Sequence, residues 1–286
     1  MTLRDYIRHA YRAVLPVLYA RTNFKLFLKT SLTEYDRRVR QLASMTDYFS
    51  TFVRPIPIRA PFGDSMLVVA PHQDDETIGC GGALALQVRA KKPACVVLLH
   101  DGADGHDELG MTRPQMVALR NKESVRAAAV IGMEPPVFLS YPDLTAHAAP
   151  AAEALRGIIE TRKVDSVFIP FMLDGHADHR KANYILAAAL KKIDRNVRVF
   201  GYEVWGLAIP NVIVVIDDVM DQKLAMLRCF DFANKAIDYV QSTQGLNMYH
   251  SRMLGSGVCK YAERFFEIPS LEYIELVERV RAGESS

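Results

Sequence analysis

Met66-Leu67-Val68-Val69-Ala70-Pro71-His72-Gln73-Asp74-Asp75-Glu76 is the stretch that decides the fold. Five apolar residues, two of them valine, suit a short buried strand, and a proline ends it. Polar, chemically capable side chains follow at once. The arrangement returns about a hundred residues later. There Ser166-Val167-Phe168-Ile169-Pro170 runs into Phe171-Met172-Leu173-Asp174-Gly175-His176-Ala177-Asp178-His179.

Outward from these two anchors, strand-like and helix-like segments alternate. Residues 95–100, 137–141, 197–205 and 211–216 read as further strands. Residues 78–90, 114–131, 151–162, 178–192, 217–232 and 270–282 read as helices, with Gly132 closing the second of these. Short apolar strands each followed by a helix predict an α/β body: a Rossmann-like, mostly parallel sheet with helices on both faces. In such sheets ligands collect beyond the carboxyl ends of the strands, where both polar loops fall. The two loops can meet at one end of the sheet.

Residues 1–50 read as helical, with Pro16 as a break or a helix start. Pro55, Pro57 and Pro61 cannot continue a helix, so residues 54–63 are expected to form an extended connector. The predicted organisation is a basic helical N-terminal extension with its connector over 1–60, then a catalytic body over 61–286.

Charge separates the same two parts. The 286 residues carry 35 Lys+Arg and 33 Asp+Glu, a formal net of +2. Residues 1–40 hold nine basic and three acidic side chains, +6, which leaves −4 for the remaining 246 residues. A near-neutral total gives no case for nucleic acid as a partner. The leader mixes its Arg and Lys with Tyr11, Val14, Leu15, Leu18, Phe24 and Phe27, as an interfacial helix does. It is therefore a candidate for peripheral membrane contact; packing on the body or on a second subunit is the alternative. Its longest apolar run, residues 13–20, is too short to span a bilayer. No small-residue cleavage site follows it. Cys80, Cys95, Cys229 and Cys259 are scattered without a CxxC pair, as in a chain that keeps its thiols reduced. These features predict a cytoplasmic protein.

Six of the eight histidines lie between residues 72 and 179. Imidazole nitrogens with carboxylates suit Zn²⁺, which in hydrolytic sites keeps three protein ligands and an open position for water. His72 and Asp75 can come from the first loop and His179 from the second. Asp74 is left beside a ligand, free to act as a base. Gly79-Cys80-Gly81-Gly82 lacks the GxGxxG spacing of a nucleotide loop, and small residues are also needed where a helix packs close to a sheet.

The same residues carry a family resemblance. Residues 71–76 resemble the PHPDDE signature of the PIG-L/LmbE-like deacetylases, and Gly175-His176-Ala177-Asp178-His179 resembles their HxDH motif. Arg120-Asn121-Lys122-Glu123 and Tyr141-Pro142-Asp143 are similar to the family's RxxE helix and strand-end aspartate. The likeness continues through Tyr202-Glu203-Val204-Trp205 and Lys223 to residues 261–265. It covers roughly residues 65–268 and omits the leader.

The resemblance implies a Zn²⁺-dependent hydrolase that removes acetyl from an N-acetylated amino sugar of the N-acetylglucosamine type, a small-molecule conjugate. It implies His72, Asp75 and His179 as metal ligands and Asp74 as general base. His176 would stabilise the oxyanion as an imidazolium, Asp178 would orient a histidine, and Glu76 would support the loop by hydrogen bonding. Arg120 and Asp143 would contact sugar hydroxyls. Trp205 suits either a sugar face or the core. Two positions depart from the pattern. Gln73 replaces the motif's proline, and Ala103 stands where many members carry an acid that helps define the substrate. A zinc amidase acting on another N-acyl substrate shares every metal residue. A carbohydrate-binding protein without catalysis is the non-enzyme alternative, and it predicts a missing catalytic residue.

Overall fold

The structure is a computed structural model. It describes residues 55–284 except 207 and 209. The leader, with its expected helices and its surface contacts, lies outside the described residues.

The strands are β1 (Ile56–Ile58), β2 (Met66–Ala70), β3 (Ala94–His100), β4 (Val137–Tyr141), β5 (Ser166–Pro170), β6 (Arg198–Tyr202), β7 (Val212–Val215) and β8 (Ala262–Pro269). The helices are α1 (Asp75–Arg89), α2 (Arg113–Val130), α3 (Ala148–Thr161), α4 (Ala177–Leu190), α5 (Met220–Leu227), α6 (Asp231–Ala236), α7 (Tyr239–Ser251) and α8 (Ser270–Glu284). One eight-stranded sheet runs in the order β1-β7-β8-β6-β5-β2-β3-β4. β2 through β6 are mutually parallel, and β8 runs antiparallel to both its neighbours, β6 and β7.

Alternation along β2 shows why its sequence is apolar throughout. Met66, Val68 and Ala70 pack into one core with α1, while Leu67 and Val69 pack into the other with α3 and α4. A strand buried on both faces has no position for a polar residue. Phe168 on β5 and Phe200 on β6 stack at 4.4 Å on the face that also holds Phe62 and Phe265.

The strand order places the site. From β2 the chain moves one way to β3 and β4, then returns to lay β5 on the other side of β2 and β6 beyond it. β2 and β5 are therefore neighbours, with Met66 opposite Ser166 and Val68 opposite Phe168. Their carboxyl ends flank the crevice where the winding reverses, the usual ligand position in open α/β sheets.

Four elements differ from the sequence reading. The proline connector contributes β1, a parallel edge strand on β7, so the sheet begins upstream of residue 61. Prolines are tolerated there because an edge strand leaves one row of N–H groups unpaired. The expected helix over 217–232 is broken into a 3₁₀ turn (Asp217–Val219) and the short helices α5 and α6. Finally, α7 and β8 have no counterpart among the predicted elements. No helix of the described residues is long and apolar enough to cross a membrane.

Candidate active site

Pro71 leaves β2 with its carbonyl accepting the His100 amide of β3 (2.9 Å), which fixes the start of the loop. Asp74 then takes φ 117°, a left-handed conformation that favours glycine, immediately before α1. Such a backbone costs about 1–3 kcal/mol and persists only where its surroundings hold it. Here the Glu76 carboxylate accepts the Asp74 amide at 3.1 Å, and the Asp74 carbonyl accepts the amides of Thr77 and Ile78. Glu76 thus supports the loop as expected. Gln73, at the family's proline position, is fully buried. Its Nε2 donates to the Asp101 carbonyl (3.2 Å) and to Asn121 Oδ1 (3.0 Å), tying the motif to β3 and α2. Gly102 gives it room: a Cβ there would lie 2.0 Å from Gln73 Oε1.

The second loop meets the first. His179 Nε2 lies 3.2 Å from Asp75 Oδ2, and His72 Nδ1 lies 3.3 Å from the same oxygen. Ring nitrogens of His72, His176 and His179 come within 4.8 Å of one another. Two nitrogens about one carboxylate oxygen at these separations match the ligand-to-ligand edge of about 3.3 Å that a tetrahedral ion with bonds of about 2.0–2.1 Å requires. The donor set fits a divalent metal.

Carboxylates stand behind the histidines. Asp178 Oδ2 lies 3.4 Å from His72 Nε2, within reach of the ring it was expected to orient. The sequence reading assigned no role to Asp174. It is buried, and its Oδ1 accepts from the His176 amide (2.9 Å) and lies 3.0 Å from His179 Nδ1. Its Oδ2 accepts from the amides of Trp205 (3.0 Å) and Gly206 (3.2 Å). It fixes the His179 ring in the usual manner of a carboxylate behind a metal-binding histidine, and it anchors the Trp205 loop to the site. Its place in the polar run before Gly175 was the only sequence signal.

Burial and charge set the protonation states. Burial draws the His72 imidazole down, but hydrogen bonds to Asp178 and Asp75 outweigh it and raise the group to about 9. His179 follows the same balance and rises to about 10, with Asp75 and Asp174 as the opposing charges. Burial and the Asp75 charge push Asp74 up to about 7, against the pull of Arg120, His72 and His179. Burial, then the repulsion of His72 and His179, lowers His176. Its Nδ1 accepts the Asp178 amide at 3.1 Å, so the neutral ring carries its proton on Nε2. This lowering and the accepting Nδ1 favour a neutral N–H donor at Nε2 over the expected imidazolium.

These groups line a cavity of about 340 Å³. Its polar wall holds His72, Asp74, Asp75, His176 and Asp178, and its apolar wall holds Ile78, Val204, Trp205, Phe232, Ile237 and Tyr239. Trp205 is 53% exposed, which places it on the cavity side rather than in the core. Arg120 also lines the cavity. It donates to the Gln73 carbonyl, reaches Asp74 Oδ2 at 3.4 Å and sits over the Phe232 ring. Asp143 is not among the lining residues; its carboxylate accepts from the amides of Thr145 (2.7 Å) and Ala146 (3.3 Å) in a turn. Ala103 is buried, and the neighbouring Asp104 faces the cavity instead. His100 is buried at the edge of the site, its Nδ1 accepting the Gly102 amide.

A cluster able to hold a divalent metal, with a spare carboxylate beside it at the switch point of a parallel sheet, is the arrangement of a hydrolase-type α/β protein. Residues 67–190 match the family model PIG-L: GlcNAc-PI de-N-acetylase, and this match supports the PIG-L/LmbE-like deacetylase family. It is 24% identical over 236 residues to the diacetylchitobiose deacetylase of Thermococcus kodakarensis, a match spanning 75% of this chain and 87% of that one. The N,N'-diacetylchitobiose deacetylase from Pyrococcus horikoshii has the same fold, with a TM-score of 0.64 and 21% identity over 88% of this chain and 94% of that one. GalB, the 4-carboxy-2-hydroxymuconate hydratase from Pseudomonas putida KT2440, shares it too, with a TM-score of 0.61 and 22% identity over 72% of this chain and 96% of that one.

Proposed function

We propose that this chain removes the acetyl group from an N-acetylated amino sugar with the help of Zn²⁺ held by His72, Asp75 and His179. The observation that carries the reading is Asp75 Oδ2 lying between two histidine nitrogens while the Asp74 carboxylate lines the same cavity. A bound zinc ion supplies Lewis-acid polarisation and a more acidic water. The chain's own residues supply the rest. Asp74, raised to about 7, accepts a proton from the attacking water and returns it to the leaving amine. His176 donates from Nε2 to the developing oxyanion. Both α1 and α4 begin at the cavity, so their N-terminal partial charges favour the same negative charge. Asp178 and Asp174 hold the ligand rings, and Arg120 holds the base. Trp205 offers a face on which a sugar ring can stack. Asp143 contributes to substrate binding only as a group at the rim, on the strength of its motif position.

The test is acetate release from a panel of N-acetylglucosamine conjugates, with chelator treatment and with Asp74→Ala. Full activity in a metal-free sample sinks the zinc mechanism. The apolar wall favours a second reading, an amidase that accepts a longer acyl chain; varying that chain across the panel decides between them. The panel also tests the non-catalytic alternative, although no motif residue that it predicts to be missing is absent.

The leader's charge and apolar residues support peripheral contact with an anionic membrane surface for a cytoplasmic enzyme. Packing against a second copy is the competing arrangement. Liposome co-sedimentation of the full chain against one starting at Arg54, which retains β1, separates the two.

A further inference from the structure

Helix α1 is broken. Cys80, at φ −142° and ψ 21°, leaves the helical region, so a first turn over residues 75–79 is separated from the segment that follows. A break exposes backbone groups on both sides: amides at the head of the second segment and carbonyls at the tail of the first turn. A single buried ion pair satisfies both. Glu263 on β8 accepts the Gly82 amide with Oε1 and the Ala83 amide with Oε2, each at 2.7 Å. Lys223 on α5 donates to the Ile78 carbonyl at 2.9 Å and to Glu263 Oε1 at 2.6 Å. The Lys223 and Glu263 side chains are 0% and 1% exposed.

The glycines beside the break are explained by the same pair and its neighbours. A Cβ at Gly82 would lie 2.9 Å from Glu263 Oε1, and one at Gly81 3.3 Å from Lys223 Cγ. A Cβ at Gly79 would lie 2.1 Å from the ring of Tyr202, whose hydroxyl donates to the Val69 carbonyl. Gly79-Cys80-Gly81-Gly82 is thus a hinge of fixed angle and not a phosphate cradle.

We propose that Lys223 and Glu263 are positioning residues: they fix the angle of the first turn and so aim Asp75, and Asp74 beside it, at the histidines. The proposal rests on the reading of Asp75 as a metal ligand. Removing two charges from water gives little net stability, and apolar residues of similar volume often serve as well or better. What an apolar pair cannot do is cap the two ends of a broken helix. The leverage is large. Five helical residues span about 7.5 Å, and a change of about 20° in axis, the size of an ordinary kink, moves the far end by about 2.6 Å. Site geometry tolerates roughly 0.5 Å.

The decisive variant is the uncharged pair Lys223→Met with Glu263→Gln in the full-length chain, since it leaves no unpaired buried charge. Zn²⁺ affinity by chelator competition is read beside kcat, KM and melting temperature. The control is Leu155→Ala, a buried position in the core on the other face of the sheet. The expected result is a folded double variant whose Zn²⁺ affinity falls about 10–100-fold, the range found for groups that orient ligands. Its kcat should fall with KM retained. Wild-type affinity and kcat in the double variant overturn the proposal. So does a loss no greater than that of Leu155→Ala at equal melting temperature. A double variant that does not fold assigns the pair to stability alone, and that too overturns it. Absence of Zn²⁺ binding by the unmodified chain refutes instead the ligand assignment beneath it.

Discussion

Asp174→Asn is the sharpest perturbation of the site, because the two side chains match in shape and differ in what they accept. All four groups around the Asp174 carboxylate are donors or can donate: His179 Nδ1 and the His176 amide on Oδ1, the Trp205 and Gly206 amides on Oδ2. A carboxylate accepts at both oxygens, whereas an asparagine must turn its NH₂ toward one pair. If the NH₂ faces Trp205 and Gly206, two partly buried amides lose their acceptor, at up to about 1–3 kcal/mol each. If it faces His179, the ring must accept at Nδ1 and carry its proton on Nε2, the nitrogen that a metal needs. The first orientation predicts a loss of about 2–6 kcal/mol, or at least about 4 °C in melting temperature for a body of this size. The second predicts weaker metal binding, by about 10–100-fold. Thermal unfolding and chelator competition read the two separately. A variant within 1 °C and twofold of wild type on both (roughly the scatter of such assays on the scale of these effects) refutes the account of Asp174.

Other expectations follow from the same geometry. In the metal-free chain His72 and His179 titrate near 9 and 10, so at pH 7.5 both are protonated and must lose their protons to bind an ion. Calorimetry in buffers of different ionisation enthalpy should find about two protons released, with affinity falling as pH falls; no release contradicts the ligand assignment. Asp74→Gly should abolish deacetylation while raising stability by about 1 kcal/mol, since glycine adopts the 117° φ without strain; a lower melting temperature contradicts this. Trp205→Ala should raise KM about 3–10-fold at unchanged kcat, the effect of losing an aromatic contact worth about 0.5–1.5 kcal/mol. An unaltered KM removes Trp205 from the substrate site.

The parallel half of the sheet was legible because burial on both faces forces near-continuous apolar strands, and β2, β4 and β5 fall where the pattern predicts them. The antiparallel strand β8 was not. Its sequence, Ala262-Glu263-Arg264-Phe265-Phe266-Glu267-Ile268-Pro269, carries charges that look exposed. Glu263 and Arg264 are in fact buried, paired with Lys223 and Glu203 from elements distant in sequence. No local window contains those partners, so the pattern reads as a loop. Helix α7 failed for a related reason: few of its residues are buried, and it carries no clear apolar stripe.

The site divides along the same line. The proposed metal ligands stand within a few positions of β2 and β5, and strand adjacency turns two sequence motifs into one cluster. The residues that shape the rest of the cavity, Phe232, Ile237 and Tyr239, come from α6 and the start of α7, where neither a motif nor a period marks them. The hydratase with the same fold shows that the sheet does not choose the reaction. Two separately built walls therefore decide two separate questions. In the proposed function the motif wall supplies the hydrolytic chemistry, through Asp74, His176 and the ligand set. The apolar wall decides which conjugate sits long enough for that to happen. Substitutions in Phe232 or Ile237 should redistribute activity among substrates while leaving Zn²⁺ affinity unchanged, and substitutions in Asp178 should do the reverse. A Phe232 variant that altered metal affinity as strongly as Asp174→Asn would show that the walls are coupled, with the Arg120 guanidinium, which sits over the Phe232 ring and reaches Asp74, as the physical link.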